Sequence, residues 1–178
     1  MSFSGIALPF TSGAAYATGT TTGLIVGKTY MDESTGYEYV WTQMHTDMTN
    51  DTSAVGEIAV QVSATQKGIV TNKASVGLDT TYPIGLGIFI SIIPESTATT
   101  TYYGWVIKQG YVATLLNDGT DQTVGDNLYV VAADPASAGR LAGTATNTDD
   151  GVLNSIFGRA ATTVTGTNST AYVNFNDI

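Results

Sequence analysis

Apolar positions in this chain recur two residues apart or in short unbroken runs, and no segment holds an apolar period of about 3.6 over three helical turns. In "IAVQVSAT", Ile58, Val60 and Val62 fall on one face of an extended chain, and Ala59, Gln61 and Ser63 fall on the other. The pattern predicts short strands at 24–26, 37–44, 58–63, 128–132, 154–164 and 170–177, with further short strands between 67 and 85. Asp32-Glu33-Ser34-Thr35-Gly36 is turn material, so the first two strands form a hairpin with a long acidic loop. Residues 47–57 read as loop, with room for one short turn over 51–57. "IGLGIFISII", 84–93, does not alternate and suits a strand buried on both faces. Turn signals spaced roughly every 8 to 12 residues predict an all-β fold, a small antiparallel barrel or sandwich, with no fixed repeat.

"YYGWVIKQGYVATLL", 102–116, is the longest strand-like run. Extended, it sends Trp105, Ile107 and Gln109 one way and Val106, Lys108 and Gly110 the other. Gly110 allows a bend or bulge, after which Tyr111 leads a second strand toward the Asn-Asp-Gly turn at 117–119. The rings of Tyr102, Tyr103 and Trp105 have two readings: core or subunit interface, or a stacking platform for sugar. A platform needs rings on one exposed face, and adjacent strand residues do not share a face, so core or interface is the stronger reading.

Residues 1–23 are rich in Gly, Ala, Ser and Thr and show neither period. Two readings stay open: a poorly ordered terminus, or an extended N-terminal arm that orders on a partner. Phe3, Ile6, Leu8, Phe10 and Tyr16 favour the arm, because a plain linker has no use for them. The expected division is an arm over 1–23 and a single β domain over 24–178, with Phe3, Ile6, Leu8 and Phe10 as the contact residues toward a partner surface or a sister subunit.

Composition narrows the function. At 178 residues a chain buries about 70% of the surface its unfolded form exposes, enough for a core without staples. It has no cysteine, which excludes disulfides and thiolate metal sites. The net charge of -9 and the absence of any Lys/Arg cluster argue against nucleic acid and anionic membrane. The N-terminal stretch has no basic residue before Lys28 and only a five-residue apolar run, unlike a secretion signal. Residues 84–93 are too short for a spanning helix. Asn50-Asp51-Thr52 and Asn168-Ser169-Thr170 match the glycosylation pattern and are read as chance matches.

Candidate chemistry is sparse. His45 is the sole histidine, and with Asp47 in "MHTDM" it is better read as a solvated loop than as part of a triad. The carboxylate pairs Asp32/Glu33, Asp47/Asp51, Asp118/Asp121 and Asp149/Asp150 all sit in turn-rich segments, where Asp serves turn geometry by itself. "NDGTDQTVGD", 117–126, lacks the ligand spacing and closing Glu of an EF-hand loop. No phosphate-cradling glycine loop and no Gly-x-Ser-x-Gly elbow occur. The expectation is a protein with no catalytic set, no cofactor and no metal.

The C-terminal two-fifths carries a resemblance. Tyr103-Gly104-Trp105-Val106, then Val124-Gly125-Asp126-Asn127-Leu128, then Ala138-Gly139-Arg140-Leu141, then Gly158-Arg159-Ala160, and finally "AYVNF", follow in the order found in the small capsid decoration, or cement, proteins of tailed bacteriophages. The N-terminal half resembles them only in style, through "ALPF", "AVQVSAT" and its small-residue start. The resemblance implies a non-enzymatic structural protein on the outer surface of the capsid in the virion. Its partner there is the major capsid protein, and it reinforces contacts between capsid subunits. Self-association, with a trimer favoured over a dimer, belongs to the same expectation. The alternatives are a tail or head-fibre component and a carbohydrate-binding module.

Overall fold

The structure is a computed structural model, and the residues it describes are 16–17, 24–73, 76, 84–116, 123–130, 141–142, 156–163 and 168–174. Their regular structure is β-strand, with a 3-10 turn at Thr49–Asp51 and no α-helix among the described residues. In chain order the strands are β1 (Tyr16–Ala17), β2 (Thr29–Asp32), β3 (Tyr37–Met44), β4 (Ile58–Gln61), β5 (Ile69–Thr71) and β6 (Gly85–Phe89). They continue with β7 (Tyr102–Leu116), β8 (Asn127–Val130), β9 (Leu141–Ala142), β10 (Ile156–Ala160) and β11 (Asn168–Asn174).

Five strands close into a barrel in the order β3-β5-β4-β6-β7 and back to β3. Four of the pairings are antiparallel, and β3–β5 is parallel. The expected small antiparallel barrel is present, and its one parallel pair follows from parity. Strands that alternate up and down cannot close a ring of odd number, so at least one neighbouring pair must run the same way. β2 extends the barrel wall as a hairpin partner of β3, pairing Thr29 with Val40 and Asp32 with Tyr37.

β7 is the spine of the molecule. Over Tyr103–Gln109 it pairs with β3, and from Gln109 to Leu116 it pairs with β11, which leads on through β10 and β8 to β9. The run is one continuous strand, and it changes sheets where two irregularities meet. Lys108 is an extra residue opposite the Glu38–Tyr39 step of β3, and Gly110 has φ +145. A side chain at Gly110 would bring its Cβ 2.7 Å from Cγ of the Tyr37 ring, so the absence of a Cβ lets Tyr37 lie against the bend.

Packing falls into two clusters on opposite strand faces. Val40, Met44, Ala59, Val70, Phe89 and Val106 take at least one residue from every barrel strand and pack with Met48 and Ile93. Tyr39, Trp41, Ile58, Val60, Ile88, Trp105 and Ile107 form the other cluster, which runs on into Val112, Leu115, Leu128, Ala160 and Val173. That second cluster binds the barrel to the β7–β11–β10–β8 sheet. Both faces are therefore buried, and in β4 this includes Ala59 and Gln61 as well as Ile58 and Val60.

Two predicted boundaries move. Residues 24–26 are not a strand: Lys28 N–H donates to Ile25 O at 3.1 Å, Gly27 sits at φ +80, and the turn delays the strand to Thr29. The apolar run 84–93 is strand only to Phe89. Beyond it the backbone is taken by another segment, Ser53 N–H donating to Ile93 O at 2.9 Å.

Candidate functional site

The aromatic residues of β7 are placed by simple alternation. Trp105 faces Trp41 directly across the β3–β7 ladder, with ring centroids 4.8 Å apart in an edge-on arrangement. Trp41 in turn stacks on Tyr103 at 6.1 Å, and Tyr30 meets Trp105 edge-on at 5.4 Å. Trp105 is 2% exposed and Trp41 is 3% exposed. Tyr103 packs against one core cluster and Tyr102 against the other. These rings hold the fold together: no shared exposed face is left for a sugar to stack on.

At one end of the barrel a polar network ties three loops together. Asn72 is fully buried, and its Nδ2 donates to Glu57 Oε2 at 2.8 Å, to Thr52 O at 3.1 Å and to Thr49 O at 3.3 Å. Its Oδ1 accepts from Thr49 N–H at 2.8 Å. Glu57 Oε2 also accepts from Ala54 N–H at 2.7 Å. Ser53 Oγ donates to Ser91 O at 3.0 Å and accepts from Ile93 N–H at 2.9 Å. Ser96 Oγ donates to Met44 O at 2.6 Å and accepts from Tyr102 N–H at 3.1 Å. These hydrogen bonds hold the loops around 49–57 and 91–96 in one arrangement. The importance of Glu57 and Asn72 was not visible in the sequence. Neither belongs to a motif, and 15 positions separate them.

The residues weighed for chemistry do not assemble. His45 Nδ1 accepts the Asp47 backbone N–H at 3.2 Å, while the Asp47 carboxylate pairs with Lys73 Nζ at 2.7 Å. The imidazole and carboxylate are thus engaged separately, without the contact a dyad needs. Asp32 is engaged in its own turn, accepting from Ser34 N–H, Ser34 Oγ and Thr35 Oγ1. Those hydrogen bonds, the Ser34 hydroxyl foremost, hold its carboxyl below the usual aspartate range. Burial pushes the Tyr39 phenol up, and the charge of Asp32 adds to the shift. Asp126 accepts from Thr123 N–H at 2.7 Å. Asp118/Asp121, Asp149/Asp150 and the 117–119 turn lie outside the described residues. Among the described residues no group of three or more His, Cys, Asp or Glu side chains is placed to hold a metal. No helix among them is long and apolar enough to cross a membrane.

The contact residues Phe3, Ile6, Leu8 and Phe10 lie outside the described residues. Of the 1–23 segment, only Tyr16–Ala17 is described, and it adds a short antiparallel strand to β7, Tyr16 opposite Tyr103 and Ala17 opposite Tyr102. Among the described residues, the exposed large apolar side chains are Ile25, Met31, Val55, Ile92 and Val124. Val55 and Ile92 stand on two segments bonded side by side: Gly56 N–H donates to Phe89 O, and Ser53 N–H donates to Ile93 O.

Two of the resemblance motifs meet directly, and a third is joined to them through β11 and β7. Val124-Gly125-Asp126 forms a turn whose Gly125 N–H donates to Ala160 O at 2.9 Å, and Ala160 N–H returns a bond to Asp126 O at 2.9 Å. Gly158 and Arg159 pair with Leu128 and Asn127. β11 joins this unit to β7, the strand that begins with the Tyr-Gly-Trp-Val motif.

No protein-family model and no curated protein matches the chain. Among solved structures, the chain is similar to the crystal structure of the head fibre gp8.5 N base of bacteriophage phi29, with a TM-score of 0.44 and 14% identity, over 79% of this chain and 98% of that one.

Proposed function

We propose that the chain is a non-enzymatic structural protein of a tailed-phage head, carried on the outer surface of the capsid and bound to the major capsid protein. The observation that carries this reading is the meeting of the motifs. Segments far apart in the chain, Val124–Leu128 and Gly158–Ala160, are hydrogen-bonded partners in one β unit. The segments that carry the resemblance thus belong to one folded unit, which supports reading the chain by that resemblance. Two finer forms follow. In the first, the protein reinforces contacts between capsid subunits: binding the assembled shell and not the free subunit stabilises the shell by linkage, multiplied over many copies. In the second, it is a head-fibre component, the kind of protein named in the structural match, and projects from the head without strengthening it.

The purified protein is incubated with empty heads and with unassembled capsid protein, then sedimented. Co-sedimentation with heads only is expected. Heat resistance of bare and decorated heads then separates the forms: a raised disruption temperature supports reinforcement, and an unchanged one with projecting density in electron micrographs supports the head-fibre form. Failure to bind heads overturns both. Binding on a glycan array in its place supports the carbohydrate-binding alternative.

A further inference from the structure

β1 lies on an edge of β7 that also carries β6. Tyr103 pairs with Gln43 of β3 on one side and Tyr16 of β1 on the other, and Val106 pairs with Val40 of β3 and Phe89 of β6. β1 and β6 therefore share one edge of β7, separated by Gly104 and Trp105. The two strands run in the same direction along that edge. An extended chain continuing β1 past Tyr16 along this edge would run toward the end of β6. From Val106 onward that edge is occupied by β6, so such a continuation has room only opposite Gly104 and Trp105 before it meets the 90–93 loop. Ile93 closes the gap at that point, its side chain filling the space over Gly104.

Ile92, the next residue on that loop, is 64% exposed, and Val55 on the segment bonded alongside is 43% exposed. The network around Asn72, Glu57 and Ser53 holds the two segments that carry these side chains in place. Fifteen residues precede Tyr16, and they include Phe3, Ile6, Leu8 and Phe10. Phe10 is six positions ahead of Tyr16, a reach of roughly 20 Å when extended. We infer that residues 3–10 of this chain dock on the Ile92–Val55 patch of their own body, with β1 as the guide that aims them. This concerns the isolated protein and does not depend on a role at a phage head.

The chain has no cysteine, so a single thiol reports its own surroundings. Ile92→Cys is made in the intact chain and in a chain lacking residues 2–13, which keeps β1, with Val124→Cys as a distant exposed control. Maleimide labelling of Ile92→Cys is expected to be at least tenfold slower in the intact chain, with Val124→Cys labelling alike in both. If the truncated chain does not fold, the full-length chain with Phe3, Ile6, Leu8 and Phe10 all changed to Ser takes its place. Equal labelling of Ile92→Cys with and without the apolar segment overturns the inference. Protection that disappears on dilution overturns it as well, because the occupant is then the arm of a second copy.

Discussion

At the scale of single residues, burial and geometry make strong demands at a few positions. Gly110 combines φ +145 with a Tyr37 ring 2.7 Å from where a Cβ would stand. Gly110→Val is expected to destabilise the fold by about 1–3 kcal/mol, read in a denaturant titration, and a Tyr37→Ala background should recover the steric part but not the backbone part. Trp105 is buried among Trp41, Tyr30 and its neighbours. Trp105→Ala is expected to cost about 3–5 kcal/mol in the same titration; a normal melt with loss of glycan binding would return these rings to the sugar reading. Asp32 sets a pH dependence. Its folded pKa is depressed by the Ser34 and Thr35 hydrogen bonds, so its contribution is present above the ordinary aspartate value of about 3.9. That contribution is lost as pH falls through the lower folded value. Asp32→Asn should therefore lower the melting temperature at pH 7, and the difference from the parent should close in strong acid. Much of this scale was readable in the sequence. Adjacent Tyr102 and Tyr103 had to face apart, and Asp32 with Ser34, Thr35 and Gly36 had to form a turn. The clash of Tyr37 with any side chain at Gly110 was not readable, because the two meet only after β3 and β7 pair.

Strands and their loops come next, and here the local pattern gives types more reliably than ends. Tyr37–Met44 is a strand over the predicted span, because its aromatic and β-branched residues fit a pleated surface on both faces. Residues 24–26 have similar composition and are a turn, since Gly27 reverses the chain and its N–H bonds to Trp41 O. The run 84–93 stops being strand at Phe89, because the Ser53 segment takes over its hydrogen bonds. The loops that do so depend on Asn72. Asn72→Ala removes a donor to Glu57, Thr52 and Thr49 at once, and each polar group stranded in the interior costs about 1–3 kcal/mol. The expected result is a destabilised chain in which hydrogen exchange quickens first at Thr49 and Ala54, whose amides bond to Asn72 and Glu57. Unchanged exchange there would mean that the loops hold without the network.

For the whole molecule, short strands with repeated turns and no helical period were enough to establish an all-β chain with a core built from its own side chains. That follows from local physics: a two-residue period buries one face of a strand or, in continuous apolar runs, both. The same sequence also held the bend at Gly110 and the inward alternation of Trp105 and Ile107. What it did not hold was which edges pair. The order β3-β5-β4-β6-β7, the parallel β3–β5 contact and the handover of β7 from β3 to β11 each join residues far apart in the chain. So does the burial of Glu57 against Asn72, which neither residue's neighbours in sequence foretell. Hydrophobic burial is non-directional, so a pattern of apolar positions says which faces must be covered and leaves open what covers them. That choice belongs to the closed barrel, where every edge must find a partner and an odd number of strands forces one pair to run parallel.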